Sequence, residues 1–494
     1  MANMVSRIWS MVSIYLFVPL YIKFLGDESY GLVSFFATLQ LTMNLLEVGL
    51  SSTLKREFAA VENKNSESRK YKLLRSVEAI NVVIAFIIFF ICFSGSNFIA
   101  EKWLNLENLD IRLVATTISL MGTSISLQLL TNLYFGCILG MGFQIIANIY
   151  QLGFSISKSL GAILVIWLIS PDIRLFYLWH IICDVIYLII LRIIVIKKLD
   201  TKKHNLKWNL KDLSNLKEIW RYAFGIMLIS FVALINRQLD KTIISKHLPL
   251  AELGAYNLAT TLGQIPIIIS SSVAVALFTS FTKLYTMKKE DEIKNSYLRI
   301  NKLVTTIVIC MGVFIAVYSN ELIYFWTNSE ALVDMVKSTA VFVVIGTMFL
   351  GLQEIPYAFV LAHGNTKINN LVGIMFMPFT ISITYICVTK FKLQGAGIAY
   401  CILMVSQTLI YITIIYKKYF NIKTALWLIC DTIIPFLLCS VFALFSKFIS
   451  NLLFTNQYII LIFALISGAL SLVLTLLLLN RKLIVTLITK EHNH

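Results

Sequence analysis

Lys158 lies deep in an uninterrupted apolar stretch, 13 residues after Ile145 and 11 before Ile169. On a helix it would sit roughly 16 Å or more from either end, too far for its side chain to snorkel to an interface. An ammonium at that depth needs a water-filled cavity or an acidic partner. The depth points first to a polar lumen and second to a structural ion pair. In "INRQLDKTIIS", Arg237 and Asp240 stand three apart and can pair on one helix face, with Lys241 beside them. Such a pair steadies a helix as readily as it serves a ligand. His180 and Asp184 are four apart and have the spacing of a proton-coupled pair, although a structural role is the plainer reading. Glu354, between Gln353 and Pro356, is the most isolated carboxylate and a candidate for ion coupling. Arg192, Arg221 and Lys337 lie near span ends, where snorkelling is enough. The same interfacial solvation accounts for Glu47, and Asp431 lies outside the main body of spans.

The elements that must position these groups follow from composition. The chain is 58% hydrophobic and 14% charged, against roughly half and a quarter in soluble domains. At about 20 residues per span, fourteen spans absorb the apolar content. Apolar runs bounded by charges or turns place spans at about 5–24, 31–51, 77–99, 111–139, 145–169, 175–196, 219–245, 253–281, 301–326, 331–361, 368–389, 396–416, 425–448 and 457–480. The long fourth and tenth segments are candidates for bending. Short alternating segments of the kind a membrane barrel needs are not present. The expected fold is therefore an all-α polytopic membrane protein.

Net charge is +16, from 42 Lys and Arg against 26 Asp and Glu. With fourteen spans and a cytoplasmic N-terminus, 28 of the 42 fall in cytoplasmic segments, eight in outer loops and six inside spans. This is the positive-inside asymmetry, so the basic excess sets topology and carries no implication of nucleic acid. Both termini are expected in the cytoplasm. The basic segments 52–76 and 197–218 are also placed to touch anionic lipid headgroups, though topology alone explains them.

Shifting the chain by 223 residues aligns Lys23 with Lys246, Leu25 with Leu248, Gly31 with Gly254, Phe58 with Phe281, Trp103 with Trp326, Tyr134 with Tyr357 and Tyr177 with Tyr400. The implied organisation is a six-helix lobe (1–200), a basic cytoplasmic linker (201–218), a second six-helix lobe (219–420), then two further helices and a tail (421–494). Parallel repeats of this kind enclose a central cleft suited to alternating access.

Several classes are disfavoured. All eight cysteines lie in apolar runs and no C-x-x-C occurs, so neither a metal site nor a disulfide scaffold is expected. The Gly-Lys dipeptide is absent, and with it any phosphate-binding loop of the G-x-x-x-x-G-K-[ST] kind. No outer loop exceeds about a dozen residues, which argues against a membrane glycan polymerase or ligase. No enzyme activity and no cofactor are expected. The first apolar segment lacks a small-x-small cleavage pattern and reads as an uncleaved span.

Residues 3–62, beginning "NMVSRIWSMVSIYLFVPLYIKFLGDESYGLVSFF", together with "INRQLDKTIISKHLPLAELGAYNLATTL" at 235–262 and "KLQGAGIAY" at 392–400, resemble the bacterial O-antigen and polysaccharide flippases. These belong to the superfamily of the multidrug and toxin extrusion exporters. Departures are Glu47 where the family pattern suggests Asp, and "GMGFQ" at 140–144, which lacks a cation. The resemblance implies two six-helix lobes around a cleft. It also implies transport of a lipid-linked oligosaccharide to the outer leaflet of the inner membrane. Partners would then be that lipid-linked substrate, membrane lipid and polysaccharide assembly enzymes. Lys158, Arg237 and Lys241 are the expected lumen cations facing a diphosphate. Glu354, Asp184, His180 and Asp240 are the expected ion-coupling groups, for H+ or Na+. A multidrug exporter of the same fold and a peptidoglycan-precursor flippase remain the alternatives; the depth of Lys158 disfavours the first, because organic cations call for an acidic cavity.

Overall fold

The computed structural model describes residues 2–59, 66–199, 216–420 and 427–491. Among them the regular elements are helical, with no strand. This is what the bilayer demands of spanning segments, since each must satisfy its own backbone hydrogen bonds. The helices are α1 (Ala2–Leu25), α2 (Asp27–Ala59), α3 (Ser66–Phe98), α4 (Ile111–Gly140), α5 (Gln144–Leu168), α6 (Ile173–Lys198) and α7 (Leu216–His247). They continue as α8 (Leu250–Thr286), α9 (Glu290–Val317), α10 (Ser319–Thr327), α11 (Glu330–Leu352), α12 (Glu354–Ala362), α13 (Thr366–Ile415), α14 (Ile434–Leu453) and α15 (Gln457–Glu491). Ten helical segments among the described residues are long and apolar enough to cross a membrane. α1, α2 and α7 occupy the first, second and seventh expected spans. The all-α polytopic class therefore stands.

Several boundaries depart from the sequence reading. The tenth span is two helices: α11 ends at Leu352, and α12 starts at Glu354 with Pro356 in its first turn, where a missing N–H costs nothing. The eleventh and twelfth spans run together as α13, folded back at Lys392, whose φ of 51° and ψ of −135° leave the helical region. The fourth span is one unbroken helix. α9 starts at Glu290, earlier than hydropathy suggested, because Glu290, Asp291 and Glu292 complement the positive end of its dipole.

The chain divides into two compact units, 1–254 and 255–494. In the first, α2 packs on α4 and α7, α3 and α6 pack on α4, and α5 lies against α1 and α6. Its core includes Leu54, Phe58, Val77, Leu133, Cys137 and Leu191, each nearly or fully buried. Small residues set the closest approaches. A Cβ at Gly122 would stand 2.2 Å from Cys92 Cβ, and one at Gly161 would stand 2.3 Å from the Trp179 ring. Gly31 and Gly254, superposed by the 223-residue shift, lie against each other; a Cβ on Gly254 would come within 3.1 Å of Gly31 N. The linker residues 201–215 fall outside the described residues, as do the side chains of Arg7, Glu47 and Arg221.

In the second unit α11 packs on α13, and α14 and α15 pack on each other and on α9. The two C-terminal helices are held there by polar bridges as well as apolar contact. Tyr318 and Ser446 share a hydrogen bond of 2.7 Å, and Ser446 donates to Ser467 at 2.7 Å. Lys447 pairs with Glu321, and Lys302 lies 3.8 Å from Asp431, so Asp431 has a structural partner.

Candidate substrate cavity in the N-terminal unit

The first unit contains a cavity of about 420 Å³ between α2, α4, α5 and α6, within the range typical of small-molecule sites. Amide and hydroxyl groups line it, notably Gln40, Gln128, Asn132, Gln151 and Ser155, alongside Phe36, Phe135 and Phe154. Lys158 and His180 belong to its wall. Lys158 is the only Lys, Arg, Asp or Glu among the described lining residues.

Lys158 Nζ lies 2.9 Å from Asp184 Oδ1 and 3.1 Å from Oδ2. The carboxylate is almost wholly enclosed, at 1% exposure against 14% for the lysine side chain. Ser124 Oγ donates to Asp184 Oδ2 at 2.5 Å and Gln128 Nε2 at 3.2 Å. Gln128 Nε2 also reaches Ser124 Oγ at 3.0 Å, and Gln40 Nε2 donates to Gln128 Oε1. Three helices thus converge on one carboxylate. The arrangement meets the requirement that a buried ion pair also have its remaining lone pairs satisfied.

Local sequence explains how α5 and α6 come close enough. Gly161 follows Lys158 by less than one turn, and its missing Cβ admits the Trp179 ring against α5. Trp179 Nε1 then donates to the carbonyl of Ser157 at 3.1 Å. Phe154 and Tyr187 stack at 4.2 Å with rings 12° from parallel, and Lys158 Nζ lies 5.2 Å from the Phe154 centroid. At the start of α6, Asp172 caps the helix by accepting from Arg174 N at 2.8 Å and also binds the Arg174 guanidinium. That hydrogen bond holds the Asp172 carboxyl below its ordinary range.

One expectation needs correction. His180 and Asp184 do not pair: Asp184 turns to Lys158, Ser124 and Gln128. His180 instead packs on Phe176 at 4.3 Å, with a buried Nδ1 that has no hydrogen-bond partner among the described residues. Lys158 meets both of the environments its depth called for: it lines the cavity and is paired with Asp184. The remaining candidates are not among the cavity's lining residues. Arg237 is exposed and Asp240 buried on α7, with Asp240 within electrostatic reach of Lys241; neither Arg237 nor Lys241 lines the cavity. Glu354 belongs to the other unit, at the first position of α12 and near Tyr411. Arg192 reaches Glu78 at 3.4 Å, so it has a partner at its end of the membrane.

Sequence reasoning missed Ser124, Gln128 and the amide wall. A signal existed: Ser124, Gln128, Thr131 and Asn132 recur at helical spacing through an apolar span.

The family model for "Polysaccharide biosynthesis protein" matches residues 1–285, more than half of the chain. The chain belongs to this family. A second model, MatE, matches residues 225–386 and links this polysaccharide biosynthesis protein to the superfamily of multidrug exporters. A Shigella flexneri protein described as an O-antigen transporter is 24% identical over 407 residues, covering 78% of this chain and 89% of the relative. Among solved structures, the lipid II flippase MurJ in an inward closed conformation matches with a TM-score of 0.74 and 16% identity, covering 97% of this chain and 99% of that one. An inward-facing multidrug resistance transporter of the same superfamily gives 0.69 and 13%, covering 83% and 94%. At those identities the likeness speaks to fold. This member of the polysaccharide biosynthesis family is thus a polytopic helical protein with the fold shared by those flippase and exporter structures.

Proposed function

We propose that the protein moves undecaprenyl-diphosphate-linked oligosaccharide repeat units, of O-antigen or another surface polysaccharide, across the inner membrane by alternating access. The observation that carries this reading is the polar cavity inside an otherwise apolar helical unit, in a chain of the polysaccharide biosynthesis family. A hydrophilic glycan cannot cross hydrocarbon unaided. An amide-lined cavity replaces its water while the lipid tail stays in the bilayer. Both termini lie in the cytoplasm on this reading, which the distribution of Lys and Arg supports. H+ or Na+ drives the cycle through Glu354, since Asp184 is already held by Lys158, and the protein performs no bond chemistry itself.

The test is deletion of the gene, followed by measurement of undecaprenyl-linked intermediates and surface polysaccharide. Accumulated intermediates and lost surface glycan are expected. The MatE match over 225–386 favours drug export as the second reading. Unchanged surface glycan with heightened drug sensitivity would select it, and arrested peptidoglycan synthesis would select a precursor flippase.

A further inference from the structure

We infer that the cavity between α2, α4, α5 and α6 receives an uncharged sugar of the cargo's glycan, and that the diphosphate binds elsewhere. This rests on the flippase reading above and concerns which part of the cargo meets these residues. The argument is electrostatic. Among the described lining residues Lys158 is the only Lys, Arg, Asp or Glu, and its charge is already matched by Asp184 at 2.9 Å. A diphosphate could recruit the ammonium only by drawing it off Asp184. That would leave a carboxylate of 1% exposure without its cation, held only by the donors of Ser124 and Gln128. Enclosed charges of that kind are costly, so a dianion gains little here.

An uncharged sugar faces no such obstacle. Its hydroxyl and acetamido groups both donate and accept hydrogen bonds, as do the side chains of Asn132, Gln151 and Ser155. Its less polar ring face matches the aromatic wall, where Phe154 is backed by Tyr187 at 4.2 Å. The ion pair is then a fixed, neutral part of the wall that orders Gln128 and, through it, Gln40. Selection in this cavity comes from amide geometry and aromatic surface.

The test uses the full-length protein in lipid nanodiscs and saturation-transfer NMR. N,N'-diacetylchitobiose and lactose serve as uncharged probes, and inorganic pyrophosphate and a glucuronic acid disaccharide as competitors. Saturation is expected to reach at least one uncharged probe, with neither competitor displacing it. Asn132→Leu and Gln151→Leu should each weaken that binding roughly tenfold, about what one hydrogen bond to a polar group contributes, while still eluting as the folded protein. Displacement by pyrophosphate, absence of saturation for both uncharged probes, or unchanged affinity in both variants would overturn the assignment. The deletion phenotype separates the two readings. Lost surface glycan alongside displacement by pyrophosphate sinks the sugar assignment alone, whereas unchanged surface glycan sinks the flippase reading.

Discussion

Lys158 on α5 and Asp184 on α6 form a buried ion pair, Nζ to Oδ1 2.9 Å, with Ser124 and Gln128 of α4 completing the carboxylate's shell. Removing one partner of such a pair leaves the other charged and enclosed, at a cost of about 3–5 kcal/mol. Lys158→Ala should therefore lower the melting temperature in detergent clearly, and Lys158→Arg much less. The double variant Lys158→Met, Asp184→Leu should recover most of the lost stability, because apolar replacement of a whole pair is close to neutral. If the double variant melts as low as Lys158→Ala, the pair is not what holds α4, α5 and α6 together.

Gly161 is the contact that lets this pair form. With a Cβ only 2.3 Å from the Trp179 ring, Gly161→Ala forces the indole or all of α6 to move. The Trp179–Ser157 hydrogen bond of 3.1 Å should break, and overpacking of this kind costs about 1–3 kcal/mol. A red-shifted Trp179 emission and reduced surface polysaccharide are expected. Trp179→Phe, which removes the hydrogen bond and shrinks the ring system, should partly rescue Gly161→Ala. No rescue would mean that the glycine matters for another reason.

The sequence made some of this site legible and hid the rest, for identifiable reasons. The depth of Lys158 depends only on residue spacing along one helix, so it could be read directly. Its partner could not, because i, i+4 arithmetic sees neighbours on the same helix and favoured His180 for Asp184. The true pairing crosses between helices, and it depends on Gly161 and Trp179, which carry no charge. The break at Gln353 was announced by Pro356 but blurred by hydropathy, which runs on through α11 and α12. The all-α fold was readable because apolar content is summed over hundreds of residues and tolerates local error. The amide wall was not, since single polar residues in an apolar span give a weak signal until several helices converge.

Asp172 ties the pH response of α6 to its N-terminus. The Arg174 hydrogen bonds lower its folded pKa, so the stability it supplies is present above the unfolded value of about 3.9 and fades as pH falls through the folded one. Asp172→Ala should cost about 0.5–2 kcal/mol at neutral pH, the usual worth of an N-cap. As pH falls below the unfolded value and through the folded one, the gap between the variant and the parent should narrow. A difference that persists undiminished at low pH would exclude the charged cap as its source.

Lys392 is the place where the chain reverses inside α13, and its φ of 51° with ψ of −135° is a combination that side-chain-bearing residues rarely adopt. Such positions cost about 1–3 kcal/mol. The side chain is exposed and contributes no core packing. The tightness of the turn is fixed by Gly395, where a Cβ would lie 2.0 Å from the Cys387 carbonyl oxygen. Lys392→Gly should therefore relieve strain and stabilise the protein by about 1 kcal/mol net, after the extra backbone entropy of glycine is counted. Lys392→Ala should bring no such gain, since it keeps the Cβ. Gly395→Ala should destabilise strongly. Thermal melts of the three variants decide the matter: equal gains for Gly and Ala at position 392 would locate the effect in the removed charge and not in the backbone.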